Sequence, residues 1–212
     1  MFNEATVIGS VIEDVLASFP QIVCIDDGST DDSVAVARAA GAHVVRHPIN
    51  LGQGASLQTG FDYALSDPLM TEVVTFDADG QHQVTDAIGM VDKLRAENLD
   101  VVIGSRFLDE RTKLGPTKRV VLRTAARYTR MTSGMALTDA HNGLRVLDRG
   151  VLERVQITQN RMAHASELVD KIGALEVAWA EYPTHIVYTD YSRAKGQSLL
   201  NSINILVDLL FR

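Results

Sequence analysis

Val73-Val74-Thr75-Phe76-Asp77-Ala78-Asp79-Gly80-Gln81-His82 is the stretch on which the reading of this chain turns. A short apolar, β-branched run predicts a buried strand, and the two carboxylates then fall at its carboxyl end. Open α/β sheets bind ligands at that end. Two acidic side chains and the Gln81 oxygen form a hard donor set suited to Mg²⁺ or Mn²⁺, with positions left for diphosphate oxygens. An acidic turn capping the next helix reads the same residues equally simply.

The flanking sequence supplies the sheet. Helical spacing runs from Glu4 to Ser18, and a strand from Ile22 to Ile25 ends in Asp26-Asp27-Gly28-Ser29-Thr30. A helix over Asp31 to Ala40, a strand over His43 to Arg46 and a glycine-rich loop opening a helix, Leu51 to Gly60, come next. Beyond the central strand the pattern predicts a helix over Thr85 to Glu97 and a strand over Val101 to Ile103. This alternation implies an α/β fold whose mostly parallel sheet is covered by helices. Past residue 105 it loosens. We read residues 1–212 as a single domain, with a donor half to about 105, an acceptor half over 106–198 and an amphipathic helix over 199–212.

Bulk properties narrow the class. A net charge of −7 argues against nucleic-acid binding. The single cysteine, Cys24, sits in an apolar run and reads as packing. No apolar run reaches the roughly 18 residues of a membrane span, and no signal-peptide pattern opens the chain, so the cytoplasmic side is expected.

Four further groups carry chemistry. Asp26, Asp27 and Ser29 can bond a base edge or a ribose, or cap a helix. Asn50-Leu51-Gly52-Gln53-Gly54 allows close backbone approach at a helix N-terminus. Gly104-Ser105-Arg106 offers a guanidinium for phosphate. Asp139-Ala140-His141-Asn142-Gly143-Leu144-Arg145 places an acid and a base near a turn.

In order and spacing these motifs, with Phe2-Asn3-Glu4, resemble those of the family 2 glycosyltransferases of GT-A fold, and most of all the dolichol- or polyprenyl-phosphate hexose synthases. The resemblance implies a nucleotide sugar donor, a lipid-phosphate acceptor and a divalent cation. It makes Asn3, Glu4, Asp26, Asp27, Ser29, Gly52, Gly54 and Asp77 nucleotide-binding residues, and Asp77, Asp79 and Gln81 the metal site. Asp79, Arg106 and Asp139 become the catalytic set. Arg119, Arg123, Asn142, Arg145, Arg193 and Ser198 face the acceptor, the last two in the late loop Arg193-Ala194-Lys195-Gly196-Gln197-Ser198. A phosphate acceptor is already ionised; a sugar hydroxyl would need a base, for which Asp139 and Glu167 are the candidates.

Two departures stand out. Family members begin with an apolar strand before the Asn-Glu motif, a strand central to their sheet, whereas this sequence opens at Met1-Phe2. The Gln-x-x-Arg-Trp motif of processive synthases is missing, and the one tryptophan is Trp179, which favours single transfer. A nucleotidyltransferase would carry a basic glycine-rich loop where this chain has Asn-Glu, and a non-catalytic sugar-nucleotide sensor remains a competing class. Arg119, Arg123, Arg127 and Arg130 share one stripe of a helix predicted over Thr117 to Thr132, opposite Val121, Leu122, Ala125 and Tyr128, which should pack on the sheet. The stripe predicts docking on the anionic inner face of the cell membrane. A small membrane protein partner and a homodimer are further expectations.

Overall fold

The computed structural model describes residues 1–112 and 115–188. Its elements are α1 (Ile8–Leu16), β1 (Val23–Asp26), α2 (Ser33–Ala39), β2 (His43–Arg46), α3 (Gln53–Leu65), β3 (Glu72–Thr75), α4 (Val84–Ala96) and β4 (Val101–Ser105). They continue with α5 (Pro116–Ser133), β5 (Arg145–Asp148), α6 (Arg149–Leu152), α7 (His164–Ala174) and β6 (Trp179–Pro183). The predicted alternation of the first half is present, with boundaries moved by a few residues.

Each helix follows its apolar spacing. Ala87, Met90, Val91 and Leu94 of α4 recur at helical intervals and are buried with Val102, Leu144 and Val146 against one face of the sheet. The opposite face carries the larger cluster, in which Phe61 of α3 and Leu168, Val169 and Ile172 of α7 pack with Val101, Ile103 and Leu147. A third cluster joins Ile8 and Ile12 of α1 to Ala37 and Val44, and partly buried Cys24 packs against it. Helix α5 starts with Pro116 in its first turn and stops at Gly134, whose left-handed φ of 73° ends it. Its buried positions are Leu122, Ala125, Ala126 and Thr129, so the inward face is turned slightly from the predicted one. It packs on α7 rather than the sheet, where Gly173 admits the Ser133 carbonyl: an added Cβ would lie 2.2 Å from that oxygen.

The strands form two sheets. β1 and β2 pair in parallel, and the larger sheet has the order β3-β5-β4-β6. Strand β5 runs antiparallel to both β3 and β4, while β4 and β6 are parallel, so three of its four strands share one direction. The reversal goes with a contact between residues 33 apart in sequence. Arg106, just past the end of β4, is hydrogen-bonded to Asp139, just ahead of β5. The chain therefore re-enters the sheet at the end where β4 leaves it. No strand precedes α1 among the described residues, and β1 and β3 do not pair. The predicted helix over 199–212 lies outside the described residues.

Candidate active site

The carboxyl ends of β1 and β3 open into a cavity of about 1480 Å³, whose lining includes Glu4, Asp27, Gln53, Asp77, Asp79 and Gln81. Strand β3 delivers the acidic pair as its pattern predicts. Asp77 Oδ2 lies 3.0 Å from His82 Nε2, and Gln53 Nε2 donates to Asp77 Oδ1 at 3.3 Å. Gly143 makes room for this carboxylate, since a Cβ there would lie 2.3 Å from Asp77 Oδ2. Although burial disfavours its charge, His82 and Arg145 hold the Asp77 carboxyl below the usual range. Asp79 is pushed the other way, first by burial and then by the negative charge of Asp77. A cation between the two would relieve that repulsion, and hard carboxylate oxygens facing a cavity suit Mg²⁺ or Mn²⁺. Among the described residues no group of three or more His, Cys, Asp and Glu is arranged to hold a metal ion by itself. Two carboxylates alone leave coordination positions that ligand oxygens can fill. Gln81 also supports Asp79: its backbone N–H and side-chain Nε2 donate to the two Asp79 oxygens at 3.1 and 2.6 Å.

Several residues expected to touch the nucleotide also make bonds within the walls of the cavity. Asp27 accepts from Leu51 N and Gly52 N, both at 2.8 Å, and lies 2.9 Å from His47 Nδ1. Burial opposes its charge, but His47 and the two amides keep its carboxyl low. Asp26 is fully buried against Arg46 at 3.3 Å. Asn3, held at a left-handed φ of 53°, accepts from Thr30 N at 2.9 Å, and its own N–H donates to Ser29 Oγ at 2.9 Å. These bonds spend Asn3 and Ser29 on the turn. Glu4 is buried at the cavity edge.

The glycine loop also meets its own chain. A Cβ on Gly52, at φ 106°, would lie 2.2 Å from the Asn160 carbonyl oxygen, and one on Gly54 would lie 2.0 Å from that of Gln159. Gly54 N donates to the Asn160 carbonyl at 2.9 Å, so this first-turn donor of α3 is already used. The segment is fixed by Glu167, whose carboxylate accepts from Thr158 N, Thr158 Oγ1 and Gln159 N and pairs with Lys171. Burial is outweighed by these donors, and Glu167 falls to about 2. In this arrangement it clamps the 158–159 backbone.

Asp139 is equally committed. Arg106 Nε and Nη2 reach its two oxygens at 2.6 and 2.7 Å, a two-pronged buried pair in which Asp139 is 1% exposed. Despite burial, the guanidinium keeps Asp139 ionised and the carboxylate raises Arg106 further. Arg106 therefore presents a neutralised ion pair at the end of β4 and no free cation. Asn142, 1% exposed, donates to Thr184 Oγ1 at 2.8 Å and accepts from Leu144 N at 3.0 Å, so it is structural rather than acceptor-facing. Arg145 is likewise out of an acceptor's reach at 2% exposure. Its Nη2 donates to the Ala140 carbonyl at 3.2 Å, and Nε has no hydrogen-bond partner among the described residues. Burial lowers it to about 10 against the pull of Asp77 and Asp139, leaving a buried cation near those two carboxylates at neutral pH. His141, pushed by burial to about 4, is neutral there.

Arg119 and Arg123 are exposed on α5, and Arg123 lies over the Phe107 ring at 5.6 Å. Arg193 and Ser198 lie outside the described residues. The sequence reading passed over Gly143, Arg145 as a buried countercharge, and His82 as the partner of Asp77. The only signal for them was their place inside the two motifs.

With this geometry in view, the known proteins are informative. The family described as Glycosyl transferase family 2 matches residues 1–156. An uncharacterised protein of Methanocaldococcus jannaschii is 30% identical over all of this chain and 88% of its own length. A UDP-N-acetylglucosamine–dolichyl-phosphate N-acetylglucosaminyltransferase of Methanococcus voltae is 26% identical, covering 99% of this chain and 92% of that protein. The polyprenol monophosphomannose synthase of Mycolicibacterium smegmatis is 32% identical over 74% of this chain and 62% of its own. Among solved structures, glucosyl-3-phosphoglycerate synthase from Mycobacterium tuberculosis with Mn²⁺, UDP-glucose and phosphoglyceric acid superposes with a TM-score of 0.72. It is 18% identical and covers 99% of this chain and 76% of that one. At that identity the likeness speaks for the fold.

Proposed function

Because the chain belongs to glycosyl transferase family 2 and has its GT-A fold, we propose that it moves one hexose from a nucleoside-diphosphate sugar to the phosphate of a polyprenyl-type lipid. The observation that carries the donor half is the acidic pair Asp77 and Asp79, set at the carboxyl end of β3 and facing the cavity. These two carboxylates would hold Mg²⁺ or Mn²⁺, which neutralises charge on a departing diphosphate. Gln81 fixes Asp79, His82 and Gly143 fix Asp77, and the buried Arg145 cation offsets the negative charge of Asp77.

The acceptor half rests on chemistry the protein does not supply. Both carboxylates that could have served as a base, Asp139 and Glu167, have their oxygens engaged by fixed donors. A phosphate monoester needs no base. Its oxygen attacks the anomeric carbon, the bond to the diphosphate breaks on the far side, and the configuration inverts; catalysis is then positioning and electrostatics. The polyprenyl- and dolichyl-phosphate specificities in the names of relatives from Methanococcus voltae and Mycolicibacterium smegmatis support this acceptor.

Such a lipid is met at a bilayer. Among the described residues no helix is long and apolar enough to cross a membrane. The exposed arginines of α5, Arg119, Arg123, Arg127 and Arg130, flank Val120 and Met131, which are 65% and 85% exposed. At about 1 kcal/mol per basic residue near an anionic leaflet, the stripe supplies roughly 4 kcal/mol of reversible adsorption. We place the enzyme on the inner face of the membrane on these grounds. A matrix of UDP- and GDP-hexoses against short polyprenyl phosphates, with Mg²⁺ or Mn²⁺, tests the reaction. A lipid-phosphate sugar of inverted configuration is the expected product. Transfer confined to sugar hydroxyls, or donor binding without turnover, would refute it.

A further inference from the structure

We propose that residues 183–187 form a strap that holds the turn carrying Asp79, and that Asp86 and Thr112, which fasten the strap, are positioning residues for metal binding. The inference deepens the reading of Asp77 and Asp79 as the metal site and rests on it.

The turn depends on a hold from outside. Strand β3 ends at Thr75 and α4 begins at Val84, so residues 76–82 belong to no helix or strand. Gly80 takes a left-handed φ of 75° within them. Val187 N donates to the Gln81 carbonyl at 3.0 Å. Among the described residues this is the one backbone–backbone bond that ties the stretch to another segment. Gln81 in turn donates to both Asp79 oxygens. A displacement of Val187 therefore reaches the Asp79 carboxylate through a single residue.

The strap is itself fastened at every step. Thr184, fully buried, donates its N–H to the Ser105 carbonyl at 2.9 Å, and its Oγ1 accepts from Asn142 Nδ2 at 2.8 Å. The next three N–H groups each go to a different segment. His185 N donates to Asp86 Oδ2 at 2.6 Å, Ile186 N to Thr112 Oγ1 at 3.0 Å, and Val187 N to Gln81. Backbone donors leaving a sheet must find new partners, and here two buried side chains supply the first two.

Both side chains close a second bond back onto the same network. The other Asp86 oxygen accepts from Arg111 Nη1 at 2.9 Å, and Arg111 Nη2 donates to the Pro183 carbonyl at 2.7 Å. The Thr112 hydroxyl donates to the Thr184 carbonyl at 3.3 Å. Asp86 and Thr112 are each 3% exposed, so water does not replace a bond lost at either. Arg111 and Thr112 belong to the segment between β4 and α5, so the approach to the α5 arginines and the Asp79 turn share one set of bonds. Groups in one such network are energetically coupled, and coupling between binding and strap closure is reciprocal. A cation at Asp79 should therefore steady Val187, and loosening the strap should weaken the cation.

The experiment titrates Mn²⁺ calorimetrically and follows hydrogen exchange at Val187 with and without Mn²⁺. Thr112→Val removes the hydroxyl at nearly constant shape, Thr112→Ser keeps it, and Asp86→Asn leaves one accepting oxygen for two donors. Val151→Ala is the control for lost stability alone, since α6 follows the end of β5 that pairs with Glu72, at the opposite end of β3 from the turn. Thr112→Val and Asp86→Asn should each bind Mn²⁺ roughly tenfold more weakly than Val151→Ala. Thr112→Ser should bind as the unaltered chain does. Mn²⁺ should slow exchange at Val187 in the unaltered chain and in Thr112→Ser, and not in Thr112→Val. Equal Mn²⁺ affinity in Thr112→Val and Val151→Ala would overturn the strap and leave the metal site standing. An unaltered chain that binds no Mn²⁺ would overturn both.

Discussion

Adding a single methyl group at Gly143 should disable the acidic pair while leaving the fold in place. The backbone at Gly143 is not left-handed, so alanine is tolerated there conformationally. Its Cβ, however, would sit 2.3 Å from Asp77 Oδ2 and 2.8 Å from Asp77 Cγ and Oδ1. Ordinary contact requires about 3.4 Å, so the carboxylate or the turn must retreat by about 1 Å. Neither moves freely. Asp77 is held by His82 at 3.0 Å, and the Gly143 carbonyl accepts from Thr75 Oγ1 at 2.6 Å. Overpacking of this kind costs about 1–3 kcal/mol of stability. A catalytic group misplaced by about 1 Å costs on the order of 100-fold in rate. Calorimetric titration with Mn²⁺, turnover of the nucleotide sugar and a thermal melt would read all three effects on Gly143→Ala. Gly115→Ala, whose added methyl meets nothing within 4 Å, is the control. A folded Gly143→Ala protein with unchanged Mn²⁺ affinity and unchanged kcat/KM would refute the reasoning.

Other substitutions separate the remaining roles. Asp79→Ala should abolish transfer and metal binding with little change in melting temperature; turnover that persists in this variant, or in EDTA, would contradict the metal assignment. Glu167 lies well below its ordinary 4.5, at about 2, so its contribution is present above pH 4.5 and is lost as pH falls towards 2. That shift corresponds to about 3 kcal/mol, which Glu167→Gln should remove along with the acid dependence in this window; denaturant melts across the range would show it. Asp139→Asn leaves the Arg106 cation buried without its charge partner and should cost about 3–5 kcal/mol, whereas a proton acceptor lost at that position would cut kcat and spare stability. Liposome co-sedimentation should require anionic lipid, weaken with salt and fall when Arg123 and Arg127 become Ser; salt-insensitive binding would discount the α5 stripe.

What the sequence determined by itself is what local periodicity and short motifs encode. The βα alternation of the first half, the helix over α5 and the acidic pair at the end of β3 are all readable from neighbours a few residues apart. The carboxylates Asp26, Asp27, Asp139 and Glu167 were legible as polar groups near strand ends or in a helix, but not by task. Whether a carboxylate faces a ligand or clamps its own backbone depends on which donors meet it. Those donors come from far along the chain: Leu51 and Gly52 reach Asp27, and Arg106 reaches Asp139. The same holds for Gly52 and Gly54, whose missing side chains admit the 159–160 carbonyls. Strand β5 escaped the periodic reading because its direction is set at a distance, by the tie between Arg106 and Asp139 that returns the chain to the end of β4.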